Sequence, residues 1–175
     1  DDAISLSHES EQQQHEICLP KTLPDALGYL ADHADATIVA GATDLGVRIN
    51  KSREFPTTVL DLNRVSELQE ITVAEDHLEL GARVSWTAME DVCAVNIPQF
   101  EGVVSVFGSP QIRNMGTLGG NIINASPIAD SLPLLHVMHA KLELTSTAGS
   151  RQVDINGFYQ GSTQFDLQPG ELLTK

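Results

Sequence analysis

The chain has 175 residues, 41% of them hydrophobic, and a formal net charge of -14 from 10 Lys+Arg against 24 Asp+Glu. That balance excludes nucleic acid and anionic membranes as partners, because both demand a dense basic surface. No apolar run approaches the ~20 residues of a membrane span, and the two isolated cysteines, Cys18 and Cys93, form no metal set and read as reduced thiols of a cytoplasmic protein.

Residues 1–16 are polar, carry a Gln run and show no apolar periodicity, so a disordered linker is expected there. Thr22 is a candidate N-cap with Pro24 in the first turn, and Leu23, Leu27, Leu30 and Ala31 share one helical face. A short β-type run, Thr37 to Ala40, breaks at Gly41 and restarts as a helix near Asp44, and Thr57 to Leu62 is the next strand. Strand, glycine turn, helix and strand outline a βαβ unit, with the turn at the strand's carboxyl end, where such units bind ligands.

From Leu68 the pattern changes. Gln69 to Val73 and His77 to Leu80 read as a hairpin around Glu75-Asp76. Ser85 caps a helix with Trp86, Met89, Val92 and Cys93 on one side, and a second helix covers Gln99 to Phe107. Gly108 to Pro127 is too rich in Gly, Asn and Ser to be regular, and loops of that length are usually functional. A buried helix over Asp130 to His139, with Asp130 as its cap, and strands at Lys141 to Thr147, Arg151 to Ile155 and Glu171 to Thr174 follow. The expected fold is α+β: a polar linker at 1–16, a small βαβ lobe at 17–66, and a larger lobe at 67–175 with a mainly antiparallel sheet and flanking helices.

Two stretches carry candidate chemistry. In Val39-Ala40-Gly41-Ala42-Thr43-Asp44-Leu45 a strand runs through small residues into a helix start, where N–H groups and the helix dipole favour a phosphate. A tight structural turn fits the same residues equally well, and neither G-x-G-x-x-G nor a P-loop is present. In Gly116-Thr117-Leu118-Gly119-Gly120-Asn121 the paired glycines can form a concave nest of N–H donors, against the plainer reading of a compact surface loop. His136 and His139 lie one helical turn apart, but no carboxylate or cysteine joins them, so no metal site is assigned. No catalytic triad is supported, and no catalytic side chain is named.

The segments IVAGATDLG (Ile38 to Gly46), VLDLNRVSELQEI (Val59 to Ile71), LELGARVSW (Leu78 to Trp86), GSPQIRNMGTLGGNIINASPIADSLPLL (Gly108 to Leu135) and the closing LQPGELLTK are together specific. In order and spacing the chain resembles the FAD-binding domain of the molybdenum hydroxylases, in particular the small flavin and iron–sulfur subunit of bacterial xanthine dehydrogenases. The resemblance implies two lobes with FAD stretched between them. It implies that the loop Val39 to Leu45 wraps the pyrophosphate and that Thr117, Gly119, Gly120 and Asn121 approach FAD from the other lobe. Phe107 matches an aromatic beside the flavin ring, Gly108 and Gly116 match small-residue positions, and Ile123, Asp130 and Leu173 match further contacts. Ala42 departs from the pattern, since relatives often carry Gly or Asn there.

The implied role is electron passage from iron–sulfur clusters through FAD to NAD+ while a molybdopterin centre in another subunit hydroxylates a purine. The family's iron–sulfur region and the ring-covering segment have no counterpart here, which implies a piece of a longer cytoplasmic protein, inactive on its own. Two alternatives stay open: a flavin subunit acting on aldehydes, carbon monoxide or other heterocycles, and a docking domain that has lost FAD.

Overall fold

The computed structural model describes residues 3–9, 14–53, 55–161 and 164–175. The N-terminal part is a four-stranded mixed sheet. Strands β1 (Ile4–Glu9) and β2 (Gln14–Leu19) are antiparallel, helix α1 (Leu23–Asp32) follows, and β3 (Thr37–Val39), α2 (Thr43–Ser52) and β4 (Thr58–Asp61) complete the unit. The sheet order is β1-β2-β4-β3, with β4 parallel to both β2 and β3. The βαβ outline of β3, α2 and β4 is therefore present. Helix α1 starts where expected: Thr22 Oγ1 accepts from Asp25 N at 3.3 Å, and Pro24 occupies the first turn. Its Ala26, Leu27 and Leu30 bury against Cys18, Leu60, Leu62, Val65 and Leu68 in one cluster.

The linker expected at 1–16 is corrected in part. Residues 4–9 pair with residues 14–19 from Ile4↔Leu19 to Glu9↔Gln14, while residues 1, 2 and 10–13, with part of the Gln run, lie outside the described residues. Every β1 residue is exposed, so β1 is held by ladder hydrogen bonds to an edge that β2 offers, not by apolar burial. Burial periodicity could not reveal such a strand.

Two 3₁₀ turns, Leu62–Arg64 and Ser66–Gln69, lead to the hairpin of β5 (Ile71–Val73) and β6 (Leu78–Leu80). Helices α3 (Trp86–Asn96) and α4 (Pro98–Val104) come next, then α5 (Pro110–Met115), α6 (Leu118–Asn124) and α7 (Leu132–Val137). Strands β7 (Lys141–Ser146) and β8 (Gly149–Asp154), a helical turn α8 (Ile155–Phe158) and β9 (Leu172–Leu173) finish the chain, with the antiparallel order β8-β7-β9. A second core cluster collects Val84, Trp86, Met89, Cys93, Phe100, Val104, Leu118, Ile122, Leu142, Leu144, Ile155 and Phe158. Burying these apolar side chains contributes on the order of 1.5–3 kcal/mol each before entropy is counted. The fold is α+β, as expected.

The segment 108–127, expected to be irregular, holds α5 and α6. Ser109 and Thr117 cap these helices through their hydroxyls, to Ile112 N at 3.4 Å and Gly120 N at 3.2 Å. The caps and tertiary partners override the poor helix propensity of the glycine pair. The helix expected from Asp130 starts instead at Leu132, with Ser131 at its cap position; Asp130 is exposed and caps nothing.

Candidate functional site

Strand β3 ends at Val39, 9% exposed, and the chain turns through Ala40, Gly41 and Ala42 into α2. Ala42 is left-handed, at φ 55° and ψ 12°, a conformation that disfavours any residue with a Cβ. No side chain caps α2, and the first backbone bond across its start is Gly46 N to Ala42 O at 2.8 Å. The N–H groups of Thr43, Asp44 and Leu45 therefore leave an uncapped positive helix end. Arg48 sits one turn on and pairs with Asp44 at 3.1 Å, so its charge is compensated locally.

The glycine loop is built differently from the expected nest. Leu118 N donates to Val84 O at 3.0 Å, Gly119 N to Ala82 O at 2.8 Å and Asn121 N to Thr117 O at 3.0 Å, while Gly120 N is taken by the Thr117 hydroxyl. The expected concave nest of donors is thus corrected: these amides are consumed within the protein. Gly119 serves packing, since a Cβ there would lie 2.7 Å from Ala82 Cβ and 2.8 Å from Ala82 O. Gly120 alone of the pair is exposed and offers bare backbone to an approaching group. Gly116 is buried beside Trp86, its carbonyl accepting from Trp86 N at 3.2 Å.

The two loops touch. A Cβ on Gly41 would fall 1.8 Å from the Met115 carbonyl oxygen and 3.1 Å from Gly116 Cα, so the first loop closes on the α5–α6 junction backbone to backbone. Behind it, Phe107 packs on Trp86 with ring centroids 4.9 Å apart. Gly108 turns at φ 57°, and Arg113 Nη1 donates to the carbonyls of Phe107 and Gly108 at 3.2 and 3.1 Å. Arg113 therefore braces that turn, and it also lies 3.5 Å from Glu90.

Asn121 and the start of α7 are tied by Ser131 Oγ donating to Asn121 Oδ1 at 2.6 Å; Ser131 is 1% exposed, and the sequence reading passed over it. Ile123 is half-buried against the larger core. Leu173, 4% exposed, is a core residue of β9, next to Thr174, whose carbonyl accepts from Ala82 N at 2.9 Å. Its buried side chain presents almost no surface to a ligand.

Past α6 lies an open groove of about 440 Å³, lined among others by Ser126, Pro127, Leu132, His136, Asn156 and Tyr159. That volume is in the range of small-molecule clefts. Asn156 bridges His136 and His139, to each Nδ1 at 3.0 and 3.1 Å. Tyr159 donates its hydroxyl to Ile122 O at 2.9 Å, and burial pushes its pKa up to about 12, which keeps it a neutral donor. A second depression, of about 20 Å³ beside Glu67, Glu70, Glu79 and Lys175, has room for little more than a water. Cys93 is fully buried and its thiol is pushed up to about 11, so it is no nucleophile. No group of three or more His, Cys, Asp or Glu able to hold a metal occurs among the described residues. Nor is any helix among them long and apolar enough to cross a membrane.

An uncapped helix end facing solvent suits a phosphate, and the exposed Gly120 suits close approach of a flat or extended ligand, so the residues present fit a dinucleotide. Comparison with known proteins points the same way. The family described as the FAD-binding domain in molybdopterin dehydrogenase matches residues 12–175. The xanthine dehydrogenase FAD-binding subunit of Escherichia coli O157:H7 is 36% identical over 155 residues, covering 87% of this chain and 53% of that protein. The nicotinate dehydrogenase FAD-subunit of Eubacterium barkeri is 35% identical, over 91% of this chain and 56% of its own length. Among solved structures, a Cu,Mo-CO dehydrogenase superposes with a TM-score of 0.82 at 34% identity, over 89% of this chain and 56% of that one. The chain spans about half the length of these relatives. It belongs to the FAD-binding domain family of the molybdopterin dehydrogenases.

Proposed function

We propose that this family member is the FAD-binding part of a cytoplasmic xanthine dehydrogenase, in which FAD lies across the contact between the Gly41 loop and α6. The observation that carries the reading is the uncapped start of α2 packed against the α5–α6 junction. Val39 and Ala40 set the turn, and the N–H groups from Gly41 to Leu45 bind the pyrophosphate without a lysine or arginine. Gly120 and Asn121 admit the nucleotide from the other lobe, with Gly116, Thr117 and Gly119 as the packed base beneath them. Phe107 and Gly108, braced by Arg113, lie beside the flavin ring with Ile123 and Asp130. Leu173 supports this surface from within the core.

Bound FAD would supply two-electron redox chemistry, while the protein supplies binding, orientation and exclusion of water. Its partners are an iron–sulfur region that delivers electrons, a molybdopterin-binding subunit that oxidises a purine, and NAD+ as acceptor. The likeness to the xanthine dehydrogenase subunit supports the purine reading. A division of the chain at about residue 66 into a first and a second FAD-binding lobe belongs to the same proposal.

Titration of FAD with flavin fluorescence, together with absorbance near ~450 nm after gel filtration, tests the proposal. Saturable binding lost in Gly120→Val supports it. No binding by the folded wild type would favour a docking domain.

A further inference from the structure

We infer that Asn63 and Arg83 form a positioning relay that locks the pyrophosphate loop to the glycine helix, an inference that rests on the proposed FAD site. Arg83 is 7% exposed, unusual for a guanidinium without a carboxylate hydrogen-bonded to it. Its side chain and the residues on either side of it serve different loops, while its own N–H donates to Leu68 O at 2.7 Å. On the main-chain side, the flanking carbonyls of Ala82 and Val84 receive Gly119 N at 2.8 Å and Leu118 N at 3.0 Å, which fixes the first turn of α6. On the side-chain side, Nη1 donates to Val65 O at 3.2 Å and Nη2 to Asn63 Oδ1 at 2.8 Å.

That second bond decides how Asn63 points. With Oδ1 accepting from Arg83, Asn63 presents Nδ2 to Ala40 O at 2.9 Å, while its own N–H is held by Asp61 Oδ1 at 2.7 Å. Ala40 O belongs to the same peptide as Gly41 N–H, and a trans peptide sends the two in opposite directions. Fixing the carbonyl towards Asn63 therefore aims Gly41 N–H away from Asn63, ahead of the uncapped amides of α2. The relay runs from α6 through Arg83 and Asn63 to the peptide that opens the phosphate loop.

The cost of this arrangement argues that it is not merely packing. Arg83 Nε is buried with no hydrogen-bond partner, and burial lowers the Arg83 pKa from its ordinary value against a small opposing pull from Asp61. An apolar residue of similar volume would avoid both penalties but could not orient Asn63.

Asn63 is exposed, so its variants should fold. Asn63→Asp keeps an acceptor for Arg83 but sets a carboxylate oxygen against Ala40 O; Asn63→Ala removes the relay outright. Each should weaken FAD binding about tenfold, the worth of one net hydrogen bond, with little change in the thermal midpoint. Backbone ¹⁵N order parameters at Gly41 to Thr43 in the unliganded protein should fall from about 0.85 towards 0.6. Arg83→Met should match Asn63→Ala, and the double variant should be no worse than either. Unchanged order parameters in Asn63→Asp, or strictly additive losses, would overturn the relay. If the wild type binds no FAD, the proposed function fails and the relay does not. The order-parameter measurement then decides it alone, a fall supporting the coupling and no change refuting it.

Discussion

Substituting alanine for glycine at two places only five residues apart should move stability in opposite directions. At Gly41 the new Cβ would lie 1.8 Å from Met115 O and 2.6 Å from Met115 C, both backbone atoms. Ordinary C···O contacts are near ~3.3 Å, so one loop must retreat by well over ~1 Å. No flexible side chain can absorb that shift, which places Gly41→Ala at or beyond the upper end of the usual overpacking range, about 2–3 kcal/mol destabilising. At Gly46, inside α2, nothing lies within 4 Å of the new Cβ. There the gain in helix propensity should stabilise by about 0.5–1 kcal/mol. Both changes restrict the unfolded chain equally, so their difference reports the native contact. The assay is urea unfolding followed by far-UV circular dichroism and by the single tryptophan, Trp86, which is 2% exposed and adjacent to Gly116. Gly41→Ala should also shift the Trp86 emission under native conditions. A Gly41→Ala protein within ~0.5 kcal/mol of wild type would mean that the two loops do not meet as described.

The glycine pair of α6 should separate stability from binding. Gly119→Ala drives a methyl into Ala82 and should destabilise by about 1–3 kcal/mol. Gly120→Ala disturbs only the Thr117 hydroxyl, at 2.8 Å, so it should be near neutral in unfolding yet weaken FAD in a titration. Ala42→Gly relieves a left-handed alanine and should stabilise by roughly 0.5–1 kcal/mol in denaturant titration; a loss would show that Ala42 is not strained. Acid should unlock the end of the chain. Glu171, 9% exposed, accepts from Arg151 Nε at 2.7 Å and Nη2 at 2.8 Å and from Gln168 N at 2.7 Å, bonds that hold its carboxyl below its usual value of 4.5. A depressed folded pKa means the unfolded chain binds protons first. The contribution is complete above pH 4.5 and is lost as pH falls through the folded value. Arg151→Gln should flatten the pH dependence of unfolding below 4.5, and an unchanged slope would remove this clamp from the account.

Local chemistry wrote some elements plainly. Thr22 with Pro24, the apolar row Leu23, Leu27 and Leu30, and the Ser85 cap were all readable because cap and stripe agree. Strand β1 was not, since no side chain on it is buried. Helix α6 was hidden by its glycines: each costs about 1 kcal/mol of helix propensity, and the compensation comes from Ala82 and Val84, remote in sequence. Within the site, the Gly41 turn was legible as small residues between strand and helix. The consumption of the Leu118 and Gly119 amides was not, because their acceptors, Val84 O and Ala82 O, lie more than thirty residues back. Arg83 reads in sequence as one polar residue in a strand-like run. Only the chain's return past Asn63 gives its guanidinium a purpose.

The whole-chain charge supplies a last, signed test of how the nucleotide is held. A net charge of -14 repels a dianionic pyrophosphate at long range, and the nearby Arg48 is compensated by Asp44. In the proposed site the attraction comes from backbone N–H groups at the start of α2, which act over a few ångströms and are barely screened by salt. Added salt shortens the Debye length from about 14 Å at 0.05 M to about 4 Å at 0.5 M and damps the long-range repulsion while leaving those short contacts intact. FAD affinity should therefore stay level or rise by about twofold between 0.05 and 0.5 M NaCl, the equivalent of about 0.4 kcal/mol. A site built on lysine or arginine behaves oppositely, because the same salt weakens its attraction. A tenfold loss of affinity over that range would show a direct cation–phosphate contact and would take the pyrophosphate away from the Gly41 loop.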